Sequence, residues 1–343
     1  MNDLGPVGLA ARAPWLAPAR GALARALESA RLPHAVLLQG LPGLGKAALA
    51  QWLARLALCD QPGEAPCGAC VSCHLHATDT HPDLMRVGLV EDRKQVAVED
   101  IRELTARLGL KSFRGGRKVG IVDPADAMNL SGANALLKTL EEPPPGTLLI
   151  LTVARPDRLP ATVASRCQRV AIAVPETAVA LAWLAQQAEA GGEGGVDWAG
   201  PLALAAGAPL GALRLAERGG ATLDRDMAEI PAMLSQGNAD LVGLAERFQQ
   251  HLPAERLRWM ENWVTDRIRK GLTATVPGHS PSTPGLPAVA RTRHIQSLFG
   301  ALDELRAAQA ALGGSANVAL LWERLLTLLA QELAGLRAGR AAR

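Results

Sequence analysis

Tyrosine is absent from the chain, and phenylalanine occurs only three times in 343 residues. That argues against a surface that stacks single-stranded bases on rows of aromatic rings. Excess charge is lacking too. The 36 basic and 33 acidic residues leave +3, too little to predict a nucleic-acid partner from electrostatics alone. No apolar run approaches the ~18 residues of a membrane helix. The opening residues, with Asp3, Pro6 and Pro14, lack the basic-then-apolar order of a secretory leader. A cytoplasmic location is the resulting expectation. Cysteine is scarce outside one segment: Cys59, Cys67, Cys70 and Cys73 lie within fifteen residues, and only Cys167 stands apart. In a reducing compartment such a cluster reads as a metal site rather than a disulfide frame.

The length allows two or three domains with cores of their own. Residues 20–32 predict a helix with Leu23, Leu27 and Ala30 on one face. Ala35-Val-Leu-Leu-Gln39 is a continuous apolar run of the kind found in buried parallel strands. A glycine-rich turn follows at once, and a helix begins near Lys46 with Leu49, Trp52, Leu53 and Leu56 at helical spacing. Further strands are expected at Asp83–Val87, Val119–Val122, Leu148–Thr152 and Val170–Ile172, and helices at 98–108 and 131–142, the second stopped by Pro143-Pro-Pro145. Strands alternating with helices up to about residue 172 predict a parallel sheet covered on both faces. Beyond Pro175 strand signals vanish. Ala/Leu-rich helices are expected at 176–190 and 199–218, around a glycine turn at 191–195, and helices again over 221–335. The stretch 275–287 reads as a surface loop and 336–343 as a frayed basic tail. The expected fold class is α/β followed by all-α.

Three segments carry nucleotide-handling patterns, and two of them lack a reactive residue. In Gly40-Leu-Pro-Gly-Leu-Gly-Lys-Ala47, Gly40, Gly43 and Gly45 allow backbone amides to surround phosphate oxygens, and Lys46 reaches the terminal phosphates. Ala47 stands where Ser or Thr would ligate Mg²⁺. The segment therefore reads either as a weakened nucleotide site or as a strand–helix turn that binds nothing. Asp123 ends an apolar strand as a metal-holding acid would, or simply caps the next turn. Pro124 occupies the place of the acid that would align water, and Asp126 lies two residues further on. Both losses argue against an active ATPase. In Ser165-Arg166-Cys167, the arginine reads either as a donor to phosphate on a neighbouring subunit or as an ordinary surface ion pair.

The spacing Cys59-x₇-Cys67-x₂-Cys70-x₂-Cys73 suits a closed tetrahedral zinc site. An iron–sulfur cluster is the rival, but the Cys-Pro that completes the ferredoxin pattern is replaced by Ala77-Thr78. His74, His76 and His81 are alternate ligands that a complete cysteine set makes unnecessary. The segment 61–77 has no Lys or Arg, so direct reading of DNA there is not expected. Cys167 reads as a buried small hydrophobe.

The order of these motifs resembles the AAA+ clamp-loader family. The resemblance rests on His34-Ala35, the Gly40–Lys46 loop, the four-cysteine insertion, Asn134-Ala-Leu-Leu-Lys-Thr-Leu-Glu-Glu-Pro143 and Ser165-Arg-Cys167, with a weaker echo in Asn317-Val-Ala-Leu-Leu-Trp-Glu323. It implies a RecA-like domain over 1–172 carrying the cysteine module 59–73, a helical lid over 173–220, a helical collar over 221–335 and a flexible tail over 336–343. It implies a hetero-pentameric ring with motor (tau/gamma) and delta subunits that places a sliding clamp on primed DNA, within a nucleotidyltransferase complex of replication. It implies structural Zn²⁺ on the four cysteines and an Arg166 that acts in trans on a neighbour's ATP. Ala47 and Pro124 match the family's non-hydrolysing members rather than its motor subunits, which are the alternative reading. Leu210 aligns with the family's nucleotide-sensing arginine, so ATP binding and turnover by the isolated chain are expected to be weak or absent.

Overall fold

The computed structural model describes residues 6–90, 95–191, 196–236, 239–273, 288–312 and 318–341. The expected loop at 275–287 and most of the glycine turn near 191–195 lie outside them. The chain divides into two compact units, Met1–Gly195 with Ala205–Ala212, and Val196–Leu204 with Leu213–Arg343.

The first unit opens with helices α1 (Pro6–Arg12) and α2 (Ala17–Glu28). The second of these is shorter than its periodicity predicts. It ends at Glu28, and Ala30 takes a left-handed φ of 54° outside it. Strand β1 (Ala35–Gln39) leads through the glycine turn into α3 (Lys46–Leu58). Helix α4 (Val71–Ala77) closes the cysteine module. Then follow β2 (Leu84–Gly88), α5 (Val98–Gly109), β3 (Lys118–Asp123), α6 (Leu130–Glu141), β4 (Thr147–Val153), the single turn α7 (Ala161–Ala164), β5 (Gln168–Ala171) and α8 (Thr177–Gly191).

All five strands are parallel, in the order β2-β3-β4-β1-β5. Parallel strands need crossover helices on their faces, so the central strands are apolar along most of their length. Every residue of β4 is buried. On one face, Ile101, Leu104 and Leu108 of α5 and Ala133, Leu136 and Leu140 of α6 meet Leu37, Val122, Leu149 and Leu151 of the sheet. Register brings Leu38 opposite Thr152 and Gly88 opposite Asp123, so β1, β3 and β4 end along one edge of the sheet. In parallel sheets that carboxyl edge is where ligand sites form. Asp83, expected as the first residue of a strand, instead precedes β2 as a buried carboxylate. It accepts hydrogen bonds from Ser112 Oγ (3.0 Å) and from the backbone N–H of Phe113 (2.7 Å) and Arg114 (3.0 Å).

The single helix expected over 199–218 is broken. Helix α9 (Ala199–Leu204) stops where Ala206 and Gly207 take positive φ of 54° and 79°, and α10 (Pro209–Leu215) restarts at a proline. In the second unit, α9 is joined by α11 (Leu223–Ala228), α12 (Ile230–Gln236), α13 (Leu241–Gln250), α14 (Pro253–Thr273), α15 (Ala288–Ala311) and α16 (Val318–Ala341). Met227, Leu257, Val264, Leu305, Trp322 and Leu326 form the centre of its core, and Phe248 packs edge-on against Trp322 with ring centroids 5.0 Å apart. Helix α16 runs to Ala341, so residues 336–341 are helical rather than the frayed tail the sequence suggested.

Candidate functional site

The carboxyl edge of the sheet gathers the glycine loop after β1 and Asp123 at the end of β3, whereas Arg166 directly precedes β5 and the cysteines lie between α3 and β2, toward the opposite edge. The glycine loop leaves β1 with Gly43 and Gly45 at φ of 82° and 89°, a region open to glycine at little cost. Lys46 and several loop carbonyls are engaged by the chain itself. Lys46, buried at the start of α3, donates from Nζ to the carbonyls of Gly40 (2.8 Å) and Leu41 (2.9 Å) in its own loop. Trp15 Nε1 donates to Leu44 O (2.9 Å) and the Leu210 N–H donates to Gly43 O (3.1 Å). The start of α10 is seated directly on the loop. A Cβ at Gly43 would lie 2.5 Å from Gly211 N, and one at Gly45 would lie 3.4 Å from Leu210 Cδ1 and 3.2 Å from Leu16 Cδ1. Leu210 is itself buried.

Asp123 ends β3 and accepts a hydrogen bond from Thr152 Oγ1 of β4. Thr152 is fully buried near the end of a strand whose only other polar residue is Thr147 at its start. Sequence reasoning passed over it, although a polar residue inside Leu148–Val153 is a readable signal. Asp126 is buried and structural. Its carboxylate accepts from the amides of Ala154 (3.4 Å) and Arg155 (2.9 Å), with Arg155 Nε 3.8 Å away. It thereby pins the loop after β4 and cannot take the place left by Pro124.

Arg166 follows the α7 turn. Its Nη2 pairs with Glu141 Oε1 of α6 at 2.7 Å, and its Nη1 donates to Thr162 O (3.0 Å) and Ser165 Oγ (3.4 Å). Both partners of the pair are well exposed, at 38% and 50%. Cys167, next in sequence, is buried and donates from Sγ to Val163 O (3.3 Å); burial pushes its thiol up to about 11.

The sulfurs of Cys59, Cys67, Cys70 and Cys73 all lie within 4.8 Å of one another. Cys59 and Cys70 are 3.9 Å apart and Cys67 and Cys73 are 4.0 Å apart, far beyond a disulfide bond. With metal–sulfur bonds of about 2.3 Å, a tetrahedron has edges of about 3.8 Å, so the set fits a single ion. Backbone N–H groups of Cys67, Cys70 and Cys73 point at the sulfurs of Cys59, Cys67 and Cys70, each at 3.4 Å, as thiolates require. The amides of Ala69 and Cys70 pull the exposed Cys67 thiol down to about 6, whereas burial pushes Cys59 up to about 12. His76 and His81 are buried nearby but are not members of the four-sulfur group.

The sequence profile described as "DNA polymerase III, delta subunit" matches residues 17–176. The DNA polymerase III subunit delta' of Pseudomonas aeruginosa is 38% identical over 70% of this chain and 73% of its own. That of Escherichia coli is 30% identical over 92% of this chain and 94% of its own. The chain belongs to the DNA polymerase III delta' family. The tau subunit of Escherichia coli is also similar, at 37% identity over 43% of this chain and 22% of its own length. In this chain the parallel sheet, the four-cysteine insertion and the helical C-terminal part all occur as the resemblance implied. Among the described residues, no helix is long and apolar enough to cross a membrane.

Proposed function

We propose that this chain is the non-hydrolysing stator of a clamp loader, working with tau/gamma-type and delta-type subunits in a five-membered ring that places a sliding clamp on primed DNA. One observation carries the reading: Lys46 and several carbonyls of the phosphate loop are engaged by the chain's own groups, and α10 packs against the loop. The start of α10 packs against Gly43 and Gly45, and Lys46 would have to leave two carbonyls to reach phosphate. Ala47 and Pro124 add the loss of a magnesium ligand and of a water-aligning acid. Gly40, Gly43, Gly45, Lys46 and Asp123 then keep the fold of the loop and strand ends rather than a reaction. Arg166 is the residue that still addresses nucleotide, in trans, on ATP held by the adjacent motor subunit.

On this reading the domains are the RecA-like part (1–172), the lid (173–220) and the collar (221–335). Zn²⁺ on Cys59, Cys67, Cys70 and Cys73 staples the insertion after α3 and has no open coordination position for chemistry.

The test is reconstitution with the motor and delta subunits. The isolated chain shows no saturable ATP binding, and the assembly hydrolyses ATP when primed DNA is added. Arg166→Ala leaves assembly intact and removes about 10³-fold or more of the turnover at the single motor site it faces. Unchanged DNA-stimulated turnover in that variant would sink the trans role, and a chain that stays monomeric in the mixture would sink the stator reading.

A further inference from the structure

Glu141 sits where helix electrostatics disfavour it. It is the last residue of α6, a twelve-residue helix whose C-terminal end carries partial negative charge. A carboxylate there is compensated by a cation; Lys138 lies in the same last turn, and the cation paired with Glu141 is Arg166, just past α7 and 2.7 Å away. The same guanidinium is turned back onto its own turn by Thr162 O and Ser165 Oγ. In the free chain the side chain is therefore folded against its own subunit.

We propose that Glu141 is a positioning residue, a latch that parks Arg166 and that a neighbour's nucleotide phosphates must displace. This rests on the trans role argued above and adds its regulation. The guanidinium fork binds carboxylate and phosphate through the same donors. Engagement of ATP by Nη2 and Nη1 thus releases Glu141. The exchange is easy because the pair is exposed: a surface ion pair of this kind shifts an equilibrium by about fivefold at most. Glu141 consequently sets how readily Arg166 engages, and not the rate once it is engaged.

The latch is tested in the reconstituted loader by Glu141→Gln, nearly isosteric and neutral, with Glu141→Ala as a second variant and Glu142→Gln as the same charge change one residue along. Both Glu141 variants are expected to lower the KM for ATP about two- to fivefold with kcat unchanged, and Glu142→Gln to move neither. A lower kcat would mean that Glu141 holds Arg166 in its active pose, and an unmoved KM would mean the pair is incidental; either overturns the latch. Arg166→Ala in the same assay separates the two ideas. If it leaves turnover intact, the trans role has failed. If it cuts turnover while Glu141→Gln leaves KM where it was, the trans role stands and the latch alone falls.

Discussion

Replacing Gly43 by alanine measures whether α10 is seated on the phosphate loop in solution. Two costs are expected. An alanine at φ of 82° is strained by about 1–2 kcal/mol wherever it occurs. The second cost is specific to this place: the new methyl would lie 2.5 Å from Gly211 N and 2.7 Å from Gly211 Cα, both backbone atoms. Ordinary contact needs close to 1 Å more, so the start of α10 must back away. That stretches the 3.1 Å hydrogen bond from Leu210 N–H to Gly43 O, a loss of about 0.5–1.5 kcal/mol. A gap of 0.5–1 Å also forfeits about a quarter to a half of the dispersion energy around the buried Ala208, Leu210 and Ala212. Together the contact adds about 2–3 kcal/mol, for a total of about 3–5 kcal/mol.

Gly115 supplies the reference. Its φ is 71°, and an added Cβ there meets nothing within 4 Å, so Gly115→Ala carries the strain alone, about 1–2 kcal/mol. Because two units need not unfold together, the readout is local: native-state hydrogen exchange of the Leu210 amide and of the amides of α3, followed through a urea series. Gly43→Ala should lower the opening free energy of both by about 2–3 kcal/mol more than Gly115→Ala does. Equal effects of the two variants would refute the seating of α10 and, with it, the main support for a closed phosphate loop.

Two further predictions concern the neighbouring sites. Thr152→Val keeps the shape of a fully buried side chain but removes the donor to Asp123; the first unit should lose about 1–2 kcal/mol in urea denaturation, and no change would show that water serves Asp123 equally well. Cys73→Ser replaces the most deeply buried of the four sulfurs, so zinc measured by elemental analysis should fall from about one per chain to well below that, with exchange protection lost across α4 and retained in β1. Full zinc content in that variant would place the ion elsewhere.

Much of the fold is local and therefore legible. Ala35–Gln39 followed by glycines and an amphipathic helix, the proline stop after α6, and the switch to helix-only periodicity beyond Pro175 are each decided by residues close together in the chain. The features that escaped are decided at a distance or by single backbone angles. The break between α9 and α10 depends on Ala206 and Gly207 at positive φ, marked in sequence only by Gly207 and Pro209 within an Ala/Leu-rich stretch that otherwise reads as one helix. The partnership of Thr152 with Asp123 spans two strands, and that of Arg166 with Glu141 joins two crossovers. For the cysteines, spacing marked the four residues that come together, while the 3.9–4.0 Å sulfur pairs suit a single ion better than a cluster whose cysteines bind separate irons.

On the proposed reading, the glycine loop raises the question of why a chain would retain a phosphate-binding shape that it does not use for phosphate. A loop freed of that duty needs glycine at positive φ only if the turn itself is needed, and Gly115 shows such a turn in open space. Gly43 is different: it faces backbone atoms of Gly211 at a distance no side chain tolerates, and Gly211 in turn has Ala205 Cβ 3.0 Å from its own would-be Cβ. The packing of α10 alone requires a small residue at Gly43. Phosphate needs close approach to backbone N–H groups; α10 needs close approach to the same backbone and contributes the Leu210 N–H to a loop carbonyl. On this account the motif Gly-x-x-Gly-x-Gly-Lys persists for packing. Replacing Ala47 by Thr to restore the magnesium ligand would then leave ATP binding undetectable by calorimetry unless the contact with Gly211 were opened as well.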